Sequence, residues 1–459
     1  SAQKLWTLEE CAAYAIDHNI SIRQSESNEQ LSEYTLNQAK LNLLPNINGS
    51  AGYYFNFGKT VDPTTNQFVN QNTQTNSLQL SAGWPIFLGL QRINAIKENE
   101  FSLLASRANT DATEQNILLS VAGAFLDIVY AKENLINAND QLSLSQQQLE
   151  RSRILAEAGS LPRGSIYNIE AQVAQDELNR VNAENQLALA KLNLSQLMNV
   201  NETVDVMVPD INMSNELLQD INKNADSIYQ TALKNQAAIK SSEYSLLSSE
   251  RALAASKGAQ YPSLSLFGNL TANYSDAYQQ LISFDTISGG VYPIGFVEST
   301  GDPVVSPQFD FIPRLGNVPY DKQLRDNFGQ FFGLSLEIPI FSNWNTRTNI
   351  SRSKINVVNA QYNLQSTKLQ LQKDVQTAYQ DAVGSKNSYE ALLKNVTALQ
   401  RAFDDAQKRF NLGAINSLDY TTAKSNLARA QSDLLQSKYR YIFSLKVLDV
   451  YEGKPITLQ

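Results

Sequence analysis

From Ile47 onward apolar and small residues take turns with polar ones: Ile47, Gly49, Ala51, Tyr53, Phe55 and Phe57 alternate with Asn48, Ser50, Gly52, Tyr54 and Asn56. A period of two is the signature of a strand with one apolar face. The same alternation sets Leu78, Leu80, Ala82 and Trp84 against Gln79, Ser81 and Gly83, and Leu264, Leu266, Leu270 and Ala272 against Ser265, Asn269, Thr271 and Asn273. A fourth run opposes Phe332, Leu334, Leu336 and Ile338 to Gly333, Ser335 and Glu337. The pattern predicts strands over about 46–57, 77–87, 263–274 and 328–341, each near the ~9–11 residues that a tilted strand needs to cross a hydrocarbon layer. Taken alone, such strands fit equally a soluble sandwich with one wet face.

Elsewhere the period changes. Val375, Tyr379, Ala382, Tyr389, Leu392, Val396, Leu399, Phe403 and Phe410 step by three, four or seven, as do Leu118, Val121, Phe125, Ile128, Leu135, Leu142 and Leu149. These are heptad seams. They predict long helices over about 90–157 and 344–411, and a run of some 68 residues at 1.5 Å per residue reaches roughly 100 Å. Shorter helical runs flank them at 20–44 with 165–198, and at 237–261 with 417–450. The other helix faces are rich in Gln, Asn, Ser and Ala, which suits walls wetted on both sides and packed sideways.

The chain is written twice. Trp84-Pro85-Ile86-Phe87 recurs as Ile338-Pro339-Ile340-Phe341, an offset of 254 (339 − 85), and Gly159 matches Gly413 at the same offset (413 − 159). Leu44-Pro45-Asn46-Ile47 matches Tyr261-Pro262-Ser263-Leu264 at 217 (262 − 45), so the second copy carries 37 extra residues (254 − 217), which fall within 275–327. The expected organisation is a first repeat over 1–198 with helices 5–44 and 90–198, and an equatorial linker over 199–224. A second repeat follows over 225–450 with helices 225–261 and 344–450, and a C-terminal equatorial segment over 451–459.

Strand number decides between the readings. Four strands cannot close a barrel, and an open sheet edge in lipid leaves backbone groups unpaired. Several copies must therefore share one barrel. Two would give eight strands around a filled interior; three would give twelve around water, which the small polar inward residues favour. The competing reading is a structural coiled-coil spacer with a soluble β-head.

Composition removes other functions. With 42% hydrophobic and 18% charged residues the chain folds, and its net charge of −8 offers no basic face for nucleic acid. One cysteine, Cys11, rules out an intrachain disulfide and a thiolate cage, and one histidine, His18, rules out a multi-histidine metal site. Cys11 reads as a small buried hydrophobe and His18 as a surface or capping residue. No catalytic constellation, cofactor motif or metal site is found. The start Ser-Ala-Gln lacks the basic and apolar regions of a secretory signal, which is therefore expected to be absent or already removed. The most apolar stretch, Ile117 to Tyr130, is too short and too interrupted to be a membrane-spanning helix.

With these elements in hand, the sequence resembles the TolC-like outer-membrane factor family over nearly its whole length. The resemblance rests on the doubled helix–strand–strand–helix order, the strand-ending Pro-Ile-Phe, and two turn segments. These are Ala158-Gly159-Ser160-Leu161-Pro162-Arg163-Gly164-Ser165 and Leu412-Gly413-Ala414-Ile415-Asn416-Ser417-Leu418-Asp419. It implies an α+β membrane protein: a homotrimer sharing a 12-stranded barrel in the outer membrane of a Gram-negative bacterium, an α-helical barrel in the periplasm, and a small mixed equatorial region. It also implies a passive, non-enzymatic exit duct for efflux or type I secretion. Such a duct works with a periplasmic adaptor (membrane fusion) protein and an inner-membrane pump of RND or ABC type.

The resemblance further implies that Gly159, Ser160 and Leu161, with Gly413, Ala414 and Ile415, form tips that dock the adaptor. A glycine there also serves as a helix C-cap, and both roles are compatible. Family members narrow the inner end with two aspartate rings, six and nine residues beyond the second tip glycine. Here those positions hold Asp419 and Thr422, and the first-copy counterpart of Asp419 is Ser165. The expected gate is one ring of three carboxylates plus apolar contacts, with Phe410 before the glycine; Asp419 is alternatively a first-turn residue favoured by the helix dipole.

Segments 58–76 and 275–327 are expected outside the cell. The second, with seven acidic and three basic residues, two adjacent glycines and four prolines after Pro293, reads as an irregular cap over or into the barrel mouth, or as a mobile loop. The three methionines, Met198, Met207 and Met213, all lie near the joining patch, so metal export is the least favoured cargo. Small molecules and proteins remain equal.

Overall fold

The computed structural model describes residues 4–160, 162–209 and 224–455. In chain order the first copy comprises β1 (Leu5–Trp6), α1 (Leu8–His18), α2 (Ile20–Leu41), β2 (Asn46–Asn56), β3 (Lys59–Val61), β4 (Phe68–Asn70), β5 (Thr73–Leu88), α3 (Gln91–Glu157), α4 (Arg163–Leu197) and β6 (Asp205–Val206). The second comprises α5 (Ala225–Asn235), α6 (Ala237–Gly258), β7 (Ser263–Ser275), β8 (Gln279–Phe296), β9 (Pro303–Asn317), α7 (Tyr320–Asp326), β10 (Gly329–Glu337), α8 (Asn345–Asn411) and α9 (Ser417–Tyr451).

The helices repeat residue for residue. α1 and α5 have 11 residues each, α2 and α6 have 22, α3 and α8 have 67, and α4 and α9 have 35. Their starts stand 217 apart before the strands and 254 apart after them (225 − 8; 345 − 91). Both copies open on a capped helix. Thr7 and Glu10 form a reciprocal capping box before α1, and Asn224 accepts from the Ser227 amide before α5.

The first helical column, expected to be continuous, breaks at Asn19 and Gln236, where the backbone turns extended. Each amide side chain fills the gap usefully. Asn19 donates to the Leu197 carbonyl at 2.8 Å, an orphan acceptor at the end of α4, and Gln236 donates to the Val450 carbonyl of α9 at 3.1 Å, which also accepts from the Gly453 amide at 3.0 Å.

Contacts divide the chain into two compact units. One, formed by 38–96 and 254–351, holds a four-stranded antiparallel sheet in the order β10-β7-β5-β2. The two copies meet where β5 pairs with β7. Register fixes the faces, because residues directly opposite each other share one. Gly49 lies opposite Leu80, Leu80 opposite Leu270, and Leu266 opposite Leu334, giving an apolar face. Ser50 opposite Gln79, Gln79 opposite Thr271, and Ser265 opposite Ser335 give a polar one. Within one chain the apolar face is uncovered: Ile47 is 66% exposed and Phe332 70%. β2 and β10 are open edges.

Segment 275–327 is not irregular. β8 and β9 form a regular antiparallel hairpin, and α7 follows it. The alternating aromatic and β-branched residues Val305, Phe309 and Phe311 prevail over the glycines and prolines, whose disruption is confined to three register shifts. The shorter segment 58–76 likewise contains a small hairpin, β3 with β4. The fourth strand ends at Glu337, before the Pro339 that cannot donate to a ladder.

The second unit, formed by 1–37, 97–253 and 352–459, is helical with a two-stranded parallel patch, β1 with β6. The heptad positions are all buried or half-buried. Its two larger clusters are copies of each other: Cys11, Ala15, Val121, Ala124 and Leu194 in one occupy the places of Ile228, Ala232, Val375, Ala378 and Leu448 in the other. Cys11 therefore packs as a small hydrophobe, and burial pushes its thiol up to about 12. His18 stays exposed and stacks on Tyr14 at 3.9 Å. No helix among the described residues is long and apolar enough to cross a membrane.

Candidate functional site

The candidate residues belong to the two turns that link α3 to α4 and α8 to α9. Both turns end their helix in the same way. The amide of Gly159 donates to the Ala156 carbonyl (3.0 Å) and that of Ser160 to the Leu155 carbonyl (2.9 Å); Gly413 donates to Phe410 (3.0 Å) and Ala414 to Arg409 (2.8 Å). The paired bonds close a Schellman motif, which needs a left-handed residue, and Gly159 and Gly413 have φ of +77° and +71°. Nothing lies within 4 Å of where a Cβ would stand at either, so conformation, not space, demands glycine.

The second tip restarts with a cap. Asn416 accepts from the Asp419 amide at 2.8 Å, whereas its counterpart Pro162 makes no side-chain cap. Asp419 and Thr422 lie one turn apart on α9, both exposed, and no basic side chain among the described residues pairs with Asp419. Gly159, Ser160, Gly413 and Ala414 are exposed and Ile415 is half-buried. Leu161 lies outside the described residues.

Phe410 does not join them. It is buried and stacked on Tyr420 at 4.9 Å, in a cluster with Ile169, Phe403 and Leu427. The physical reason is its place in the heptad: seven residues after Phe403, it falls on the seam, not on an outer face. Its role is to hold the tip together, and burial pushes the adjoining Tyr420 hydroxyl up to about 12.

Sequence reasoning missed the strongest polar feature of this region. Lys424 of α9 and Asp176 of α4 form an ion pair at 2.6 Å with side chains only 2% and 5% exposed. Lys424 also donates to the Gln141 carbonyl of α3 at 2.7 Å and to the Ser145 hydroxyl, which itself donates to Asp176; Gln172 donates to the other Asp176 oxygen at 2.9 Å. Burial pulls the Lys424 ammonium below its ordinary value, and Asp176 restores part of it. Beside the pair runs a cavity of about 440 Å³ lined by Asn134, Gln175, Asn179 and other amides. Three helices from both copies are thus pinned at one buried charge. Also missed were two bare leucines at the second tip, Leu412 at 83% and Leu418 at 62% exposed. Their signal was available: both fall off the heptad seam, beside the turn.

Among the described residues no group of three or more His, Cys, Asp or Glu side chains is placed to hold a metal ion. Chemically the tips offer one exposed carboxylate, Asp419, one exposed guanidinium, Arg163, backbone turns and apolar side chains. That set suits contact and charge selection.

The family description "Outer membrane efflux protein" matches residues 13–200 and 228–453, one block in each copy. The outer membrane efflux protein BepC of Brucella suis is 22% identical over 433 residues, 94% of this chain and 82% of that protein. The outer membrane protein TolC of Escherichia coli is 20% identical over 428 residues, 93% and 78%. In fold, the chain resembles CusC with a TM-score of 0.79 at 16% identity, over 98% of this chain and 92% of that one. It resembles the CmeC outer membrane channel of Campylobacter jejuni with 0.76 at 17% identity, over 97% and 85%. With both repeats matched almost end to end, the chain belongs to the outer membrane efflux protein family and is a subunit of an efflux channel of the outer membrane.

Proposed function

We propose that three copies of the chain close one twelve-stranded barrel, β10 of each pairing with β2 of the next, and together contribute twelve helical columns to a wall in the periplasm. The repeats 1–198 and 225–450 supply two strands and two columns each. The observation that carries this reading is the sheet itself: four strands, two open edges, an uncovered apolar face and a polar face in continuous register. Lipid would cover the first face and water the second, and only closure satisfies the edge backbone.

In this reading the duct is passive and has no catalytic step. A periplasmic adaptor and an inner-membrane pump of RND or ABC type supply direction and energy. The tips at Gly159 to Leu161 and Gly413 to Ile415 meet the adaptor, with Leu412 and Leu418 as additional apolar contacts. Asp419 from three subunits makes a single charged ring, followed by uncharged Thr422.

The test combines mass and conductance. Detergent-extracted protein should have the mass of three chains and open discrete channels in planar bilayers with a preference for cations. Asp419→Asn should lower that preference, read as a shift of the reversal potential in a salt gradient. A trimer whose reversal potential is the same in both forms would remove Asp419 from the gate; a monomer without conductance would remove the shared barrel.

A further inference from the structure

The β8–β9 hairpin is an addition to the duplicated plan, and its side chains are sorted. Opposite residues share a face, so each rung can be assigned. One face carries Leu281 opposite Leu315, then Phe284 opposite Pro313, and further out Phe311 and Phe309. It continues through Val291 opposite Pro307 to Phe296 opposite Pro303, without a charged residue. The other face carries Arg314 opposite Ser283, Asp285 opposite Ile312, and Asp310 opposite Ile287. The register shifts matter here. The extra residue at Ile282 turns Leu281 onto the uncharged face, and the shift after Ser288 keeps Val291 there, so the bulges preserve the sorting along the hairpin.

The uncharged face is bare. Phe309, Phe311, Leu315, Val291 and Phe296 are 51%, 65%, 54%, 65% and 71% exposed. An uncharged, largely apolar surface on this scale, interrupted by Thr286 and Ser288 opposite Phe311 and Phe309, marks an interaction site, and a two-stranded ribbon without a cover is at best marginally stable. Its edges are poor templates for strand addition, since Pro293, Pro303, Pro307 and Pro313 each lack an amide donor. What covers it must therefore use the face.

The feet of the hairpin are fixed. Gln323 of α7 accepts from the Ser275 amide at 3.0 Å and donates to the carbonyls of Ser275 and Val318, both at 3.0 Å. The buried Asp62 carboxylate accepts from the amides of Thr64 and Thr65 at 2.9 Å and from the Ser275 hydroxyl. Tyr320 donates to Asn76 at 2.8 Å and Asn327 to the Asn273 carbonyl at 3.0 Å. The ribbon is held to the same strands that carry the sheet, immediately before the open edge strand β10.

We infer that the occupant of the uncharged face is the same hairpin from the neighbouring copies: three ribbons converge face to face into an apolar collar that continues the barrel interface. The inference rests on the trimeric reading. Continuity with the β10 edge places the next copy beside each ribbon. An uncharged face is complementary to itself, while the Asp285, Asp310 and Arg314 face is left to water.

The experiment places one cysteine per chain at Phe309→Cys, with Asp310→Cys on the opposite face as control; the native Cys11 is fully buried. Detergent-extracted protein is first weighed, then treated with a short bis-maleimide and run on a denaturing gel. Phe309→Cys should convert most monomer to linked dimers, and Asp310→Cys should not. Trimers by mass that give no link at 309, or equal links at both positions, overturn the collar. So does a bimane label at 309 that is quenched by brominated lipid in nanodiscs, which would place the face on the membrane. A monomeric mass would remove the underlying trimer and the inference with it.

Discussion

Replacing Lys424 by Met tests whether the charge cluster between α4, α3 and α9 holds these helices together. Methionine keeps the length and the apolar stem, so packing changes little, but Asp176 is left as a buried carboxylate with only Ser145 and Gln172 to answer it. Breaking a buried pair on one side costs about 3–5 kcal/mol. The polar cavity next to Asp176 lets water approach, so the lower end applies, about 3 kcal/mol, or a ~150-fold rise in the population of locally opened tip.

Hydrogen exchange followed by mass spectrometry reads that opening directly. Amides around 172–180 and 420–428 should lose roughly two orders of magnitude of protection, while β5 and β7 keep theirs. The double variant Asp176→Leu with Lys424→Met should return to within about 1 kcal/mol of the wild type, because removing both charges removes the uncompensated one. Ser145 retains the Gln141 carbonyl as its acceptor at 3.1 Å. If Lys424→Met exchanges as the wild type does, or if the double variant is worse than the single one, the pair is not what pins these helices.

Three further outcomes follow from the geometry. Leu270 and Thr271 are adjacent on β7 but face opposite sides; Leu270→Arg should cost about 2–4 kcal/mol if it faces lipid near the midplane, and Thr271→Arg much less, as measured by the melting of the reconstituted channel. Gly413→Ala should destabilise the second tip by about 1–2 kcal/mol through left-handed strain alone, with Gly413→Asn milder, read as faster proteolytic nicking near 412–416. Burial raises the Asp205 carboxyl, but hydrogen bonds and charge from Lys132 (2.6 Å) and Lys191 (3.1 Å) outweigh it and hold it below 3.8. The β1–β6 patch is therefore stabilised above pH 3.8 and loses that stability as pH falls through the lower folded value; Trp6 fluorescence should report the loss, and Asp205→Asn should abolish the pH dependence.

Periodicity made much of this fold legible. A period of two and a heptad each report the local backbone and the buried side together, which is why the seams and the strand faces agree with the register. The capping roles of Asn19 and Gln236 left no such trace, since an amide that caps a distant helix end looks like any polar residue on a helix. The hairpin was hidden because glycine and proline argue against strands locally, and only pairing across the ribbon outweighs them. Phe410 shows two readings of one residue in conflict. Its distance from a glycine suggested a gate, its distance from Phe403 placed it in the seam, and packing follows the seam.

The Lys424–Asp176 pair was out of reach for a different reason. The partners are 248 residues apart, and duplication, the best guide elsewhere, points away from them. The counterpart of Lys424 is Glu170, which makes an exposed pair with Arg153 at 2.9 Å, and the counterpart of Asp176 is Ala430. A doubled subunit has two equivalent places for such a lock and carries it in one. The same asymmetry puts Asp419 and the capping Asn416 on the second tip, where the first has Ser165 and Pro162. Charge is thus added on α9, both as a buried anchor toward α4 and as an exposed carboxylate at the turn. An outward movement of α9 at the second tip must break this anchor, because Lys424 ties the start of α9 both to Asp176 of α4 and to the Gln141 carbonyl of α3.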